Sequence, residues 1–572
     1  MSAPAAAVAG KPAAAKGPAR RRPRQRLDCV LVGYAESTPR DDLALALEVP
    51  DEDLPPPIRS LLRTTISLGG EHYGYLEGMS AARAQAGHDG GKFTVSELPS
   101  LGTLYLANYL EARGRSAAFV NSFTYERDEL DRLLAEHPRS VAVTTTFYVT
   151  PGPVIEIVRH VRAHDPTVPI IVGGPLIDNY CRAGLGPALD RVLDRIGADV
   201  YVWESQGEAT LHGVVTALVE GTDVAAVPNT LLRETDGWRL SSRRPESNDL
   251  DECAVHWRRF SEAGIGPTLS LRTARSCAFS CAFCDYPERA GALALATIDT
   301  VEHELETLAE MGVRRVAFVD DTFNVPVRRF EELLRMMVRR DFGIEWFSYF
   351  RCGQAKQESI YDLMVESGCR GVLLGIESGD NRVLKAMNKK ATVEHYRFGI
   401  EQLHAHGIFT HASFVIGFPG ETDETIENTI GFLQSTRPDT FAVNHWYYLH
   451  STPIHLRAKE YELTGEGHTW SHSTMDSRHA LDCADRIFRE VDGVAWMPVT
   501  DLDFWGVPYL FGKGMSPGEV LRFLELAKPL TVAAAARTAP EALAAGEQEF
   551  RTFCTGLDLA PARYGDVAAV GR

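Results

Sequence analysis

The chain has 572 residues, with 59 Lys and Arg against 77 Asp and Glu and a formal net charge of −18. That acidic balance excludes the basic field needed for nonspecific nucleic-acid or anionic-membrane binding, and the length exceeds one compact domain, so two or three are expected. Apolar residues make up 44% of the sequence, enough for ordinary globular cores, and no apolar run reaches the length of a membrane-spanning helix.

Residues 1–27 are rich in Ala, Pro, Arg and Gly, lack apolar periodicity and end in the basic run from Ala19 to Arg26; they read as a disordered tail. No hydrophobic signal core is present there. A cytoplasmic protein is expected, in a reducing compartment that keeps thiols free. From Asp28 onward, apolar strand patterns (DCVLVGYA, AAFVNS, SVAVTTTFYV, VPIIVGGP, ADVYVWES) alternate with helical ones, which predicts a parallel α/β unit over residues 28–221. Five strands in that order imply a Rossmann-like sheet, whose ligand lies outside the carboxyl ends of the strands. Small and polar groups gather at those ends: Thr144, Thr145 and Thr146, then Gly173 and Gly174, then Glu204 and Gly207. Such a rim admits a flat ligand. The first strand is not followed by G-x-G-x-x-G, which argues against a nicotinamide cofactor.

Residues 222–265 hold no sustained periodicity and read as a linker or small hairpin region. A second α/β unit, residues 266–455, follows. Its strands PTLSLRTARS, RRVAFVDD, IEWFSYFRC, RGVLLGIES, FTHASFVIGFPG and DTFAVNHWYYL alternate with helices, among them Ile298 to Met311 and Val393 to Ala405. Six such repeats predict a partial (β/α)6 barrel of the TIM type, with its site at the carboxyl ends of the strands. Those ends carry Asp320 and Asp321, Arg351, Glu377 and Ser378, and the turn from Gly417 to Glu421. Residues 456–572 are mostly helical in pattern and read as a cap over the barrel mouth. Within them, His472 and Met475 read as part of a packed aromatic turn.

The stretch from Arg275 to Pro287 (RSCAFSCAFCDYP) sets Cys277, Cys281 and Cys284 in a Cys-x3-Cys-x2-Cys spacing directly after the first barrel strand. Three thiolates in one tight loop point to a metal. A structural zinc needs a fourth ligand at short spacing, but the next cysteine is Cys352 and the next histidine is His303, inside a helical pattern. An iron-sulfur cluster on three thiolates leaves one iron with an open position.

This loop, with the aromatic Phe283 just before its last cysteine, resembles the radical S-adenosylmethionine (SAM) superfamily. The resemblance implies a [4Fe-4S] cluster on the three cysteines, SAM at the open iron and chemistry through a 5'-deoxyadenosyl radical. It also implies that Glu377 and Ser378 contact the ribose or amino-acid part of SAM, that Ile416 and Gly417 lie against its adenine, and that Asp320 and Asp321 sit near its amino group. Arg351 is the candidate for the SAM carboxylate, which a guanidinium matches in bidentate fashion.

A Rossmann-like sheet placed before such a loop resembles the cobalamin-dependent branch of that superfamily. The rim residues would then take the nucleotide tail of cobalamin, although the D-x-H-x-x-G motif that supplies a histidine to cobalt is absent. Tyr447, Tyr448 and His450, at the end of the last barrel strand, are candidate catalytic residues lining the substrate pocket. The implied activity is methylation of an unactivated carbon, or of a phosphinate phosphorus, in a small-molecule or peptide substrate. It draws twice on SAM, passes through methylcobalamin and needs an external electron donor such as a flavodoxin or ferredoxin. No nucleic-acid or membrane partner is expected. With the later WSHSTMDS, the loop is most similar to methyltransferases of antibiotic pathways, and the phosphinate P-methyltransferase group is the nearest. A cyclase or rearrangement enzyme with the same cofactors and a cobalamin or iron-sulfur sensor remain the alternatives.

Overall fold

A computed structural model describes residues 26–36, 56–88, 91–146, 148, 150–260, 262–536 and 543–564. The tail expected over residues 1–27 lies outside them except for Arg26 and Leu27.

Two seven-stranded sheets organise the molecule. The first runs Ala117–Ser122, Cys29–Tyr34, Val141–Thr144, Ile170–Gly173 and Val200–Val202, all parallel. It continues through the antiparallel hairpin Thr230–Glu234 and Gly237–Leu240, which lies in the stretch read as a linker or hairpin. These strands are buried on both faces, which is why they read as aliphatic runs rather than as alternating patterns. Helices supply the covers. Gly152–His164, for example, turns Val154, Ile155, Ile157, Val158 and Val161 inward. Strand order reverses between Cys29–Tyr34 and Val141–Thr144, and at that switch point a crevice opens at the carboxyl ends.

The second sheet runs Thr268–Leu271, Arg315–Phe318, Glu345–Tyr349, Cys369–Glu377, Phe409–Ile416, Thr440–His445 and Ala495–Trp496, again parallel throughout. The first six are the strands expected from the sequence, and a short seventh extends the edge. Among the described residues no pairing joins the first strand to the last, so the barrel is open. Its outer helices start where polar caps stop the strand pattern: the Thr297 hydroxyl accepts from the Thr300 amide at 3.3 Å and that of Thr422 from Thr425 at 3.4 Å.

An open barrel exposes the inner face of its sheet, and this chain fills that face from its own C-terminal part. Phe347 and Phe409, on the inner side of their strands, meet the ring of Phe511 at 5.7 and 6.3 Å, and His411 stacks on Phe504. The helix Gly506–Lys513 therefore plugs the barrel interior, where the sequence suggested a cap over the mouth. Its large apolar side chains need burial, and the missing strands leave the room. The helix Pro517–Ala535 packs on the early hairpin Thr65–Leu68 and Glu71–Gly74 and on Tyr75, whose hydroxyl lies 2.7 Å from that of Thr531. Residues from about 56 to 88 thus join the C-terminal helices rather than the first sheet.

The connecting segment is tied to both units. Asn108 pins it through Ala254 and His256 at 3.0 Å each, and the buried Glu304 accepts from the Val255 amide at 3.1 Å and the Trp257 indole at 3.0 Å. Burial lifts the Glu304 carboxyl from 4.5 to about 7. Below about pH 4.5 both folded and unfolded chains carry its proton; between there and pH 7 only the unfolded chain ionises, so this residue costs stability as pH rises and then levels off. Glu304→Gln keeps an acceptor without the charge. Thermal unfolding at pH 8 should show the variant more stable, by up to about 3 kcal/mol, with the difference vanishing near pH 4. A variant less stable at both pH values would contradict this assignment.

Candidate active site

The cysteine loop leaves the barrel under tight control. The Asp320 carboxylate, 1% exposed, accepts from the amides of Thr273 at 2.6 Å and Ala274 at 2.9 Å and from the Thr273 hydroxyl at 2.5 Å. The loop itself is held from three sides: the Ala282 amide donates to Met387 at 2.8 Å, the Asn388 side chain to the Ser280 carbonyl at 2.7 Å, and the Ile454 amide to Ala282 at 2.9 Å. Cys281 is buried, whereas Cys277 and Cys284 are partly open. The Cys277 sulfur has the Thr322 hydroxyl at 3.8 Å. All seven other cysteines are buried. Three thiols on one pinned loop are the donor set for a cluster with an open iron.

Around this loop stand the expected SAM-facing groups. The Arg351 guanidinium lies 3.6 Å from the ring centre of Phe279, and its Nε and Nη2 are buried without a hydrogen-bond partner. A buried cation with two unused donors can receive an anionic oxygen pair. Glu377 ends its strand at a register shift with φ of 72° and pairs with Lys389 at 2.8 Å. Lys389 also sits 5.5 Å above the Phe283 ring, which packs edge-on against Phe418. Four residues earlier, Lys385 is exposed at the end of its helix, whereas Lys389 is buried. Left-handed turns at Asn388 and Lys390, which the sequence hides, swing it inward.

Gly417 adopts a φ of 99°, and a Cβ there would stand 2.4 Å from Trp470. Its amide donates to Glu421, whose other carboxylate oxygen is buried without a partner; burial pushes this carboxyl up to about 8. The Gly417 carbonyl is held at 3.1 Å by His472, which stacks on Trp470. His472 is thus packed in an aromatic turn, as expected, and the turn anchors the site loop. Ser378 and Ile416 are wholly buried, with Ser378 accepting from the Asp380 amide at 3.2 Å.

A cavity of about 700 Å³ joins the two units. The first sheet contributes Thr144, Thr146, Gly173, Gly174, Glu204 and Gly207; the barrel contributes Ser270, Arg272, Val319, Asp321 and Tyr349. Tyr105 and the loop carrying Asp501, Asp503 and Trp505 complete the wall. The bare turns are enforced by geometry: Gly174 has φ of 112°, and a Cβ on it would meet the Thr145 hydroxyl at 2.8 Å. Glu204 offers a buried oxygen with no hydrogen-bond partner, 3.5 Å from Arg243, and burial raises its carboxyl above the usual range. Asp321 reaches the cavity and is therefore solvent-accessible, yet protein surrounds it. Desolvation, then its neighbour Asp320, lift it to about 6. Arg272 bridges the walls, 4.4 Å from the ring centre of Tyr105 and 3.8 Å from Glu208.

Several expected residues lie elsewhere. Thr145 turns away from the cavity, as strand alternation requires, and locks the neighbouring turn by donating to Gly173 at 3.0 Å. Asp320 is consumed by the backbone under the cysteine loop and is not free to meet an amino group. Tyr447, Tyr448 and His450 do not line the cavity. Tyr447 is 49% exposed, the Tyr448 hydroxyl is 2.6 Å from His455, and His450 contacts the Gly465 carbonyl at 3.1 Å, because the chain after Thr440–His445 turns outward to pair with the 464–472 hairpin. Arg272, Lys389, Asp501, Asp503 and Trp505 were not singled out from the sequence.

Residues 271–433 match the family model of the radical SAM superfamily. The chain is 26% identical over 304 residues to an uncharacterized methyltransferase of Pyrococcus horikoshii, covering 51% of this chain and 63% of the relative. It is 24% identical over 371 residues to the anaerobic magnesium-protoporphyrin IX monomethyl ester cyclase of Rubrivivax gelatinosus, covering 62% and 65%. The chain thus spans less than two thirds of the length of these curated relatives. Among solved structures, the radical SAM methyltransferase TsrM of Kitasatospora setae, with cobalamin and a [4Fe-4S] cluster bound, superposes with a TM-score of 0.53 at 22% identity over 64% of this chain and 72% of that one. The same methyltransferase has been solved with tryptophan as substrate and a SAM analogue. The shared fold bears out the α/β architecture read from the sequence.

Gly417→Ala should lower the thermal unfolding midpoint by several degrees, since the added methyl meets both a left-handed backbone and the Trp470 ring, a cost of about 2–4 kcal/mol. An unchanged midpoint would show that the loop relaxes freely.

Proposed function

We propose that this chain, whose barrel is a radical SAM domain, is a cobalamin-dependent radical SAM methyltransferase acting on a small molecule. The observation that carries the proposal is the shared cavity: the rim of the first sheet and the carboxyl ends of the first three barrel strands face one space, while the loop of Cys277, Cys281 and Cys284 follows the first of those strands and sets Cys277 3.8 Å from Thr322, the residue after the cavity-lining Asp321. A flat cofactor on the rim and a substrate against the barrel would meet there in contact range. The methyltransferase of similar fold, solved with cobalamin, a cluster and tryptophan, supports this reading.

When bound, the cluster with SAM supplies one-electron chemistry at an unactivated position, and cobalamin supplies the methyl group. The chain's own residues position these partners. Cys277, Cys281 and Cys284 hold the cluster through thiolates. Arg351 offers its unused Nε and Nη2 donors to the SAM carboxylate, and the Glu377–Lys389 pair presents a fixed carboxylate beside Phe283. Thr144, Thr146, Gly173, Gly174 and Gly207 leave the rim free of bulk for a cofactor tail, and Glu204 offers it an acceptor. Tyr105, Tyr349 and Trp505 add aromatic surface to a wall that also carries Asp501 and Asp503. The acceptor of the methyl group in this proposal is an unactivated carbon or a phosphinate phosphorus of a natural-product intermediate. An external one-electron donor of the flavodoxin or ferredoxin type serves it in the cytoplasm.

Likeness to a cyclase favours one competing reading, in which the same cofactors serve ring formation without methyl transfer. Anaerobic incubation of reconstituted protein with reductant, cobalamin, SAM and substrate separates the two: a methyltransferase product gains one methyl group, a cyclised product does not. Cys281→Ala should lose iron and all 5'-deoxyadenosine formation. Arg351→Ala should retain iron but bind SAM at least about tenfold more weakly by equilibrium dialysis, the value of a charged hydrogen bond. Full activity and iron content in Cys281→Ala would end the proposal.

A further inference from the structure

We propose that Asp131, His160 and His164 form a binding site for one divalent transition-metal ion of the zinc class, on the helical face of the first sheet and away from the cavity. His160 and His164 lie one turn apart on Gly152–His164, and Asp131 projects from Arg127–Leu134 beside it. Both imidazole Nε2 atoms converge on the same carboxylate oxygen, at 2.7 Å from His160 and 3.2 Å from His164. The three ligand atoms all lie within 4.8 Å of one another. Two histidines at i and i+4 with a third ligand from a neighbouring element are a sufficient protein set for tetrahedral zinc, with water in the fourth position.

A second feature points to a cation between these groups. The Nδ1 of His164 lies 3.0 Å from the His160 carbonyl. A carbonyl only accepts, so Nδ1 carries the hydrogen, and in a neutral ring the Nε2 lone pair then faces an anionic oxygen. That arrangement is repulsive unless a proton or a metal ion lies between the two, and a metal ion would serve both rings at once. A backbone carbonyl on the far nitrogen is also the contact that orients metal-ligating histidines. His160 is steadied by Phe123, whose ring it meets edge-on at 5.3 Å. Side-chain exposures of 19% for His160, 39% for Asp131 and 38% for His164 leave an open path from solvent. Two neutral imidazoles and one carboxylate favour zinc, cobalt or nickel over calcium or magnesium.

The test uses the full chain with its cluster reconstituted, freed of loosely bound metal and titrated with zinc chloride at pH 8 by calorimetry. One equivalent should bind, with affinity at least about tenfold weaker in His160→Ala and in His164→Ala and no binding in the double variant. X-ray absorption at the zinc edge of the wild-type protein should show nitrogen and oxygen ligands near about 2.0 Å without sulfur at about 2.3 Å. That spectrum does not depend on how the variants fold. A sulfur shell, which would place the ion on cysteines, no uptake by the wild type, or undiminished binding by the double variant would each overturn the site. Absence of uptake would mean that a proton on His164 closes the contact instead.

Discussion

The arrangement depends on one buried carboxylate. Asp320 follows the strand Arg315–Phe318 by two residues, yet it serves the neighbouring strand by accepting both amides that begin the cysteine loop. A carboxylate taken out of water is tolerated only when its oxygens are satisfied, and here three donors from two residues do so. Burial still raises its proton affinity, the Thr273 hydroxyl and amides oppose that rise, and the nearby Arg329 guanidinium adds to the opposition. The loop is thereby aimed by the barrel sheet rather than left to its own short-range preferences, and the thiols inherit the rigidity of the strands.

The same economy of charge joins the two units. Arg272 leaves the first barrel strand and lies against Tyr105 and Glu208 of the other unit; Arg289 leaves the helix after the cysteines and reaches Asp285 at 3.1 Å and Asp178 at 3.7 Å. Its own carbonyl accepts from Ser205 at 2.7 Å, next to Glu204 on the cavity rim. Truncating Arg272 would take from the buried Glu208 its cationic neighbour, a costlier change than the loss of a surface ion pair, whereas without Arg289 the buried Asp178 would keep Arg182 at 2.9 Å. The cavity walls are thus coupled through guanidinium groups whose stems begin within a few residues of the cysteines.

Much of this was legible in the chain because the signals were local. Aliphatic strands of four to nine residues, helices with capped starts and a three-cysteine spacing each declare themselves within a short window. Rim residues followed from the rule that ligands meet strand ends, and Thr144, Gly173 and Glu204 lie where that rule put them. Facing direction was harder: Thr145 differs from its neighbours only by strand alternation, and Tyr447, Tyr448 and His450 belong to a segment that leaves the sheet after His445. Lys389 depends on two left-handed residues, and Asp501 depends on a contact with Leu76, hundreds of positions away. No window of sequence contains that information.

The inner plug carries a consequence for how the chain is made. Gly506–Lys513 fills the barrel, and Asp501 accepts from the Leu76 amide at the start of an early helix. On a ribosome, the strands from Thr268 to His445 emerge long before the side chains that complete their interior, so the half-built barrel presents an apolar concavity while it waits. The first sheet has no such debt to later residues among its own strands and can condense as soon as it is released. Native assembly of this molecule is therefore ordered in time, with the barrel held in suspense until residues 501–513 have been made.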